Sequence, residues 1–370
     1  MDKRKVRQLV GAIAEAAGRV ERVRLMEICG THTVSLFRSG VKGMLPANVR
    51  LISGPGCPVC VTSSAYLDAA RELAGRDNVT ICTYGDMVRV PGRAGSLEHA
   101  RGQGADVRVV YSARDAVGVA REQPERDVVF LAVGFETTTP ATAAAVMEAD
   151  RAGLTNFFVL PGHKLVLPAI EALLAAGEVP IDGFLCPGHV SVILGAAAYR
   201  PIAEARGKPC VVAGFEPVNM LEGLAALARQ VAEGRSAVEN VYGVAVTEEG
   251  NAVARRMIAE AFEPAAAVWR AMGTIPASGL ELRGKYRRFD ARQRFGVEFG
   301  EDYEPAGCLC GQVVQGKVAP AACPLFGKAC TPLAPVGPCM VSSEGTCAAW
   351  YKYGRPAGSS SAGTNAEGRG

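Results

Sequence analysis

The sequence has no long apolar run and no concentration of charge of one sign. No stretch approaches the roughly 18 apolar residues that a membrane-spanning helix needs, so no membrane anchor is expected. The formal net charge is +3 over 370 residues, and acidic and basic residues are interleaved. Neither a nucleic-acid-binding stripe nor a polybasic membrane-binding patch is therefore expected, and the expected partners are proteins or small molecules.

Several motifs that would fix a function are also missing. The chain has no GxxxxGK loop followed by Ser or Thr and no GxGxxG fingerprint, so tight nucleotide binding is not expected. It lacks the CxxxCxxC run that is typical of radical S-adenosylmethionine enzymes. Charged residues return too early in the N-terminal segment for a secretion signal, which predicts a cytoplasmic protein. In a reducing cytoplasm, the twelve cysteines are expected to be metal ligands or catalytic thiols rather than structural disulfides.

Short apolar runs alternate with Ala-rich helical stretches from about residue 20 to about residue 250. This alternation is typical of βαβ units, and runs that are apolar throughout favour parallel sheets covered on both faces. An amphipathic helix is predicted over residues 2–20. The predicted strands are 49–52, 79–83, 107–111, 128–133, 157–160, 183–185, 209–213 and 242–246.

Unusual residues follow these strands in loops that contain glycine and proline. The loops read SGPGCPVC, TYGDM, VGFETTTP, PGHK, CPGHV and AGFEPV. Ligands of open α/β sheets bind beyond the carboxyl ends of the strands, so these loops are expected to share one rim. Asp86 and His189 are candidate site residues there, although a structural hydrogen-bonding role explains a loop histidine about as well.

Three cysteines in the N-terminal part have neighbours that indicate reactivity. Cys29 lies in EICGTHT, three residues before His32, and a helix is predicted to follow. A helix start and a nearby imidazole both favour a thiolate, so Cys29 is predicted to be a nucleophile or a soft-metal ligand. Cys57 and Cys60 form a CPVC pair, which can close a small disulfide ring or bind a metal. The remaining thiols in this half, expected to be plain core residues, are Cys82, Cys186 and Cys210.

Beyond about residue 270 the chain becomes rich in glycine, proline and cysteine, and such a segment is expected to need a metal to stay ordered. Its last four cysteines, spaced CX6CX8CX7C, are Cys323, Cys330, Cys339 and Cys347. Four thiolates suit zinc or a cubane cluster, and wide spacing without a CxxC knuckle favours the cluster. Cys308 and Cys310 are left as a redox pair or substitute ligands. Glu344 is either a solvated loop carboxylate or a proton-handling group near the site.

Four segments together resemble one protein family. CGTHT, GPGCPVC, PGHVS and the ending FGKACTPLAPVGPCMVSSEGTCAAWYKYG are similar to the HypD family of nickel–iron hydrogenase maturation proteins, and the similarity covers about residues 20–355. The resemblance implies an iron–sulfur scaffold with redox activity, rather than a turnover enzyme, on which iron carrying cyanide and carbonyl ligands, Fe(CN)2CO, is assembled. It also implies two partners, a small HypC-type chaperone and a HypE-type cyanide donor.

The resemblance further implies roles for individual residues. Cys29 would bind the assembly iron together with a cysteine of the HypC-type partner, and His32 would lie beside it. The redox dithiol would be Cys57 and Cys60. The residues expected to line the cleft are Asp86, His189 and Glu344. The ligands of a 4Fe-4S cluster would be Cys323, Cys330, Cys339 and Cys347.

The implied architecture is α/β, with two similar parallel-sheet βαβ domains at 23–125 and 126–265. A smaller, loop-rich iron–sulfur domain is expected from 1–22 together with 266–354. The last segment, 355–370, has no core-forming residues and is expected to be disordered.

Two other classes of function stay open. In a thiol oxidoreductase resembling ferredoxin:thioredoxin reductase, a cluster would reduce the CPVC disulfide without a second iron, which leaves CGTHT unused. In a zinc-stabilised interaction protein, the N-terminal thiols would be inert. Metal analysis separates the zinc protein from the other two, and infrared bands of cyanide and carbonyl separate the scaffold from the reductase.

Overall fold

The computed structural model describes residues 2–354, so the predicted tail 355–370 lies outside the described part. The strands are β1 Val23–Glu27, β2 Val49–Ser53, β3 Val79–Thr83, β4 Asp106–Val109, β5 Asp127–Gly134, β6 Phe157–His163, β7 Gly183–Pro187, β8 Cys210–Ala213, β9 Val238–Asn240, β10 Phe262–Trp269 and β11 Gly273–Leu282.

The α-helices are α1 Lys3–Ala17, α2 Gly30–Arg38, α3 Pro58–Val61, α4 Ser64–Ala74, α5 Gly85–Val88, α6 Leu97–Gly102, α7 Ala113–Glu122, α8 Thr139–Arg151, α9 Val166–Ala176, α10 Gly188–Leu194, α11 Arg200–Arg206, α12 Pro217–Ala232, α13 Ala252–Ala261, α14 Ala291–Phe295, α15 Cys310–Val314, α16 Pro338–Val341 and α17 Thr346–Tyr353. Short 3-10 helices cover Val41–Met44, Ala196–Tyr199, Gly284–Phe289 and Pro320–Ala322. Within residues 2–354, none of the helices combines the length and the apolarity needed to cross a membrane.

The first nine strands form two parallel sheets. Sheet 1 has the strand order β2-β1-β7-β8-β9, and sheet 2 has the order β4-β3-β5-β6. Strands β3, β7 and β8 are buried along their whole length, because helices cover the sheets on both faces. The predicted α/β class with parallel sheets is confirmed.

The chain builds sheet 1 in two separate passes. Strands β1 and β2 form first, the chain then builds all of sheet 2, and β7 returns to pair with β1. Sheet 1 therefore takes strands from both sides of the predicted boundary between residues 125 and 126, because β1 pairs with β7, a strand from the far side of sheet 2. The boundary itself stays a prediction.

Seven of the eight predicted strands overlap observed ones. The eighth, 242–246, is wrong: the strand is β9, and the residues after it form a turn in which the Val246 N–H donates to the Tyr242 carbonyl at 3.0 Å. Strand β1 is absent from the predicted strands because Arg24 interrupts its apolar run. The Arg24 guanidinium is held by Asp182 through two hydrogen bonds of 2.7 and 2.9 Å.

Helix α1 packs on sheet 1. Asp2 begins the helix by accepting hydrogen bonds from the backbone N–H groups of Arg4 and Lys5. Ile13 and Ala17 are buried with residues of α12 in the core that covers this sheet. The apolar stripe of α1 is thus covered by α12, and the predicted grouping of this helix with 266–354 stays a prediction.

An antiparallel hairpin, β10–β11, occupies part of the segment in which the sequence predicts few strands. Isolated β-bridges join Trp269 of the hairpin to Thr62 after α3, and Gly279 to Lys164 after β6. The cysteine-rich segment that follows the hairpin packs into the same buried core as α4 and one face of sheet 2. The loop-rich region is therefore continuous with the sheet 2 core.

The two sheets face each other across a cleft. Loops at the carboxyl ends of β1, β2 and β7 approach loops at the carboxyl ends of β3 and β5, and the turn between α16 and α17 covers them. The motif loops therefore occupy two opposed rims rather than the single rim expected from the sequence.

Candidate functional site

A cavity of about 450 Å³ lies in this cleft. Four of the predicted site residues line it: Cys29, Asp86, His189 and Glu344. Most of the other wall residues are apolar, including Ile28, Val59, Met87, Val133, Phe135, Val166 and Val190. A wall of this kind excludes water from whatever binds beside the thiol.

Cys29 immediately precedes α2, in a loop shaped by two glycines. A Cβ at Gly30 would overlap the main chain of Glu344, and a Cβ at Gly56 would overlap the Ile28 carbonyl. The Gly30 N–H donates to the Gly56 carbonyl at 3.2 Å. Glycine at both positions therefore lets the CGTHT loop touch the CPVC loop and the C-terminal turn at once.

The surroundings of the Cys29 thiol oppose its ionisation. The side chain is partly exposed to the cavity, yet desolvation and then the charge of Glu344 raise the pKa of the thiol to about 11. The expected thiolate-favouring environment is therefore wrong for the free protein, because desolvation outweighs the helix start and His32 carries no charge. A thiolate at this position needs a positive charge beside it, such as a metal ion.

His32 lies behind the cavity wall. It is fully buried, and its Nε2–H donates to the main-chain carbonyls of Gly214 at 3.0 Å and Ala213 at 3.2 Å. Desolvation lowers the pKa of His32 to about 4, so its ring is neutral near pH 7. The His32 ring contacts Phe215 at 4.6 Å between centroids, and Phe215 contacts His189 at 4.1 Å. His32 thus supports His189 through Phe215.

Two carboxylates fasten the C-terminal turn over the cavity. Oδ2 of Asp86 accepts hydrogen bonds from the Ser343 N–H at 2.9 Å and from the Ser343 and Ser342 hydroxyls, each at 3.1 Å. Oε1 of Glu344 accepts a hydrogen bond from the Thr31 hydroxyl at 2.7 Å. The TYGDM, CGTHT and SSEG segments therefore form one hydrogen-bonded unit.

Cys57 and Cys60 are joined in a disulfide at the start of α3. Both are buried, and the neighbouring Pro58 and Val59 line the cavity in their place. On its other side α3 contacts α15 and α16, which carry C-terminal cysteines. The CPVC pair therefore lies between the cavity and the C-terminal thiols.

The C-terminal thiols form a chain of contacts. Cys310 interacts with Cys308 on one side and with Cys339 on the other, and Cys339 interacts with Cys347, whose backbone N–H donates to the Cys339 Sγ at 3.1 Å. Cys330 accepts a hydrogen bond from the Val336 N–H at 3.4 Å, and Cys323 donates to the Gly307 carbonyl at 3.8 Å at a more exposed edge. Of the predicted quartet, the structure thus brings Cys339 and Cys347 into direct contact and adds the CxC pair.

This donor set fits a metal cluster. The interaction with Cys310 and then desolvation raise the pKa of the Cys308 thiol, so a thiolate here is favoured only beside a positive charge, such as that of a metal ion. In the part of the chain that the structure describes, no three His, Cys, Asp or Glu side chains are grouped so as to hold a single metal ion. Four cysteine thiolates are the usual ligands of a cubane cluster and of a structural zinc ion alike.

Sequence reasoning misses the residues that hold the site together. Glu27, at the end of β1, is buried, and its Oε1 accepts hydrogen bonds from Ser53 at 2.8 Å and Thr33 at 3.3 Å. Desolvation raises the pKa of Glu27. For Glu27, the signal available in the sequence was a carboxylate at the end of an apolar strand, two residues before a motif cysteine. For Ser343, the only signal in the sequence was its position next to Glu344.

Comparison with known proteins gives this site a context. A family model with the description "HypD: Hydrogenase formation hypA family" matches residues 4–354. The chain belongs to the HypD family. The resemblance seen in the motifs is thereby confirmed, and the cavity, the CPVC pair and the C-terminal thiols all lie inside the matched HypD region.

Individual HypD relatives match along nearly their whole length. The hydrogenase maturation factor HypD of Azotobacter vinelandii is 49% identical over 357 residues, which cover 94% of each chain. The factor of the same name from Rhodobacter capsulatus is 48% identical over 350 residues, covering 93% of this chain and 92% of the relative. That of Cupriavidus necator is 47% identical over 343 residues, covering 90% of both.

Proposed function

We propose that this HypD-family chain acts in hydrogenase maturation as the scaffold on which an Fe(CN)2CO unit is assembled. The observation that carries the proposal is a single cavity in which Cys29, Asp86, His189 and Glu344 meet, with the CPVC pair directly behind its wall. The names of the relatives support the maturation role, and the chemistry of the cavity supports the role in handling iron.

Cys29 is the proposed anchor for the assembly iron. Iron that carries cyanide and carbonyl is a soft ion, and a thiolate is a soft ligand. Binding requires the thiol proton to leave, and Glu344 is the carboxylate whose charge acts on Cys29. Glu344 is therefore the proposed proton acceptor. Once iron is bound, its positive charge stabilises the thiolate that desolvation otherwise disfavours.

The cavity wall is the proposed means of protecting the diatomic ligands. Its volume of about 450 Å³ accommodates a small ligated iron together with a side chain from a partner. His189 is exposed at the rim and stacked on Phe215, so its ring can donate a hydrogen bond to a cyanide nitrogen. The buried His32 keeps this stack in place.

Cys57 and Cys60 are the proposed redox dithiol beside the cavity. We propose that a 4Fe-4S cluster is held by Cys323, Cys330, Cys339 and Cys347. When bound, such a cluster supplies electrons one at a time. The contacts of α3 with α15 and α16 keep the dithiol next to these thiols, which suits electron delivery to the cavity.

Two partners complete the proposed assembly. A small HypC-type protein would share the iron through its own cysteine, and a HypE-type protein would deliver cyanide. Both need access to Cys29, which the opening of the cleft between the two rims provides.

Anaerobic co-purification with a HypC-type partner tests the proposal. The wild-type complex is expected to show infrared bands of iron-bound cyanide and carbonyl. Cys29→Ala is expected to lose these bands and to keep the iron and sulfide of the cluster. Cys82→Ala, which removes a buried thiol of β3 away from the cavity, is the matched control. Bands that persist in Cys29→Ala would show that another residue anchors the iron.

A second candidate is favoured by the packing of the Cys57–Cys60 disulfide against helices that carry thiols. It is an iron–sulfur thiol-disulfide oxidoreductase resembling ferredoxin:thioredoxin reductase, in which the reduced pair passes electrons to a partner disulfide. Reduction of a partner disulfide that survives Cys29→Ala, in a complex without cyanide or carbonyl bands, would favour this reductase over the scaffold.

A further inference from the structure

The tip of the β10–β11 hairpin lies between the CPVC helix and the C-terminal thiols. The backbone N–H of Arg270 donates to the Val61 carbonyl, at the end of α3, at 2.9 Å. On the other side of the tip, the Gln315 side-chain amide donates to the Ala271 carbonyl at 2.9 Å. Gln315 ends helix α15, which begins at Cys310. The hairpin tip thus joins the two groups of thiols physically.

Arg270 places a buried positive charge at this junction. Its side chain is 2% exposed, and its Nε donates to the Thr62 carbonyl at 3.0 Å. Its Nη2 is buried without a hydrogen-bond partner, and within residues 2–354 its guanidinium forms no ion pair with a carboxylate. A buried cation is strongly unfavourable unless an opposite charge lies or develops nearby. The Glu304 carboxylate supplies part of that charge, and the CPVC pair and the thiols around Cys310 are the groups that can supply more.

The charge of Arg270 reaches its surroundings on the thiol side. It acts on Cys310, and it also acts on Glu304, an exposed carboxylate that lies against Gly311. A Cβ at Gly311 would overlap both Glu304 and Ala271, so the residue after Cys310 is held directly against the hairpin tip. The hairpin tip is therefore closely packed against the start of α15.

We propose that Arg270 is a positioning residue that holds α3 against α15 and supplies the counter-charge that makes the Cys57–Cys60 disulfide easier to reduce. Reduction by a dithiol breaks the S–S bond with two electrons, leaves one cysteine as a thiol and the other as a thiolate, and closes the disulfide of the reductant. One of the two protons of the dithiol goes to the new thiol, and the other goes to solvent. Arg270 stabilises the reduced side, because only that side carries the negative charge.

The reduction potential of the CPVC pair tests this proposal. The full-length chain is equilibrated anaerobically in dithiothreitol buffers of graded composition and then alkylated, and the CPVC peptide is quantified by mass spectrometry. Arg270→Gln keeps an N–H donor and removes the charge. It is expected to lower the equilibrium constant for reduction about tenfold, or about 30 mV for a two-electron couple. Arg270→Lys keeps the charge and is expected to stay near the wild-type value.

Arg283→Gln is the matched control. The Nε of Arg283 also donates to a main-chain carbonyl, that of Phe262, at 3.2 Å, but at the open end of the same hairpin. The reduction potential of the CPVC pair in Arg283→Gln is expected to equal that in the wild type. An unchanged potential in Arg270→Gln, or equal falls in the Gln and Lys variants, would overturn the counter-charge role, since the first shows no effect of charge and the second a purely structural effect.

Glu304→Gln carries the test if Arg270→Gln does not fold. Without this carboxylate the charge of Arg270 is less compensated, so the equilibrium constant for reduction is expected to rise about tenfold, and a fall or no change would contradict the proposal. The inference rests on the proposed function only in treating Cys57 and Cys60 as redox-active. The measurement needs neither assembly iron nor a partner. A negative result would therefore leave the proposed anchoring role of Cys29 untouched. Likewise, missing infrared bands would not contradict the proposed role of Arg270.

Discussion

The Thr31 hydroxyl donates a 2.7 Å hydrogen bond to the Glu344 carboxylate, although 313 positions separate the two residues in sequence. This bond holds the carboxylate on the cavity wall beside Cys29. The charge of Glu344 is the second cause, after desolvation, of the raised pKa of the Cys29 thiol. A carboxylate in one motif thus adds to the effect of desolvation on the reactivity of a cysteine in another.

Replacing Glu344 by Gln is expected to make Cys29 more reactive. The amide keeps an acceptor for Thr31 and removes the negative charge, so the pKa of Cys29 should fall from about 11 toward the ordinary value of 9.0. At about pH 8.5 the rate of alkylation by iodoacetamide, measured on the Cys29 peptide, should rise roughly threefold to tenfold. Cys323, followed in the same digest, is the internal control. An unchanged rate at Cys29 would mean that desolvation alone sets its pKa.

Asp86→Ala is expected to loosen the C-terminal turn. The substitution removes the acceptor of three hydrogen bonds from Ser342 and Ser343, and the free energy of unfolding should fall by about 2 kcal/mol. Urea denaturation measures the change. Asp77→Ala, in an exposed turn, is the control and should stay within about 0.5 kcal/mol of the wild type. Equal changes in unfolding free energy for the two substitutions would show that Asp86 does not stabilise the C-terminal turn.

Gly56→Ala is expected to disrupt the Cys29 loop. Its Cβ would overlap the Ile28 carbonyl and the Cys29 main chain, so the two loops must separate, at a cost of about 3 kcal/mol or more in unfolding free energy. Gly118→Ala is the matched control, because Gly118 lies in α7 with open space around it and alanine favours a helix. The control should stabilise the protein by up to about 1 kcal/mol. Thermal unfolding of both variants checks the contrast.

The buried histidines predict a loss of stability in mild acid. The pKa of His32 is about 4 in the folded chain and 6.5 ordinarily, so between these values the unfolded chain binds a proton more readily than the folded chain does. The stability that neutral His32 permits is therefore fully present above about pH 6.5 and is lost as the pH falls toward 4. His163 is expected to show the same pH dependence, because burial lowers its pKa to about 4 as well. Each should account for roughly 2 to 3 kcal/mol of the drop in unfolding free energy between these pH values. His32→Gln should remove its share of the drop.

The control for this pH dependence is His99→Gln, since His99 is exposed on α6. Its drop in unfolding free energy between about pH 6.5 and pH 4 should match that of the wild type. A wild-type drop in His32→Gln as well would mean that His32 becomes protonated without cost, contrary to its burial.

Single serine substitutions are expected to identify the cluster ligands. Under the proposed ligand set, Cys323→Ser, Cys330→Ser, Cys339→Ser and Cys347→Ser should each lower the iron and sulfide content of the anaerobically purified protein. Cys308→Ser and Cys310→Ser should retain both. If Cys310→Ser loses the cluster and Cys323→Ser keeps it, the thiol contacts of Cys310 rather than the regular spacing define the site.

Features that depend on short stretches of sequence were predictable. The α/β class follows from local alternation of apolar and helical runs, and Cys29, Asp86 and His189 could be singled out because each lies within three residues of the end of a strand. Their convergence on one cavity was expected from the general position of ligands in α/β folds. Motif identity then led to the HypD family.

Features that depend on distant parts of the chain were not predictable. The pairing of β1 with β7 is specified by the tertiary fold, and local patterns cannot distinguish it from pairing in chain order. The raised pKa of Cys29 depends on desolvation and on Glu344, neither of which is visible in CGTHT. Arg270 belongs to no motif, and only its burial between two thiol groups gives it significance.

The two-pass construction of sheet 1 has a consequence for biosynthesis. A growing chain has made Cys29 and the CPVC pair long before it makes β7, which must flank β1, and longer still before it makes the turn that carries Glu344. A ribosome-bound or truncated chain therefore exposes these thiols without any cavity to enclose them. Under the proposed function, iron would therefore be loaded only on finished molecules, and the thiols of unfinished ones would depend on the reducing power of their surroundings.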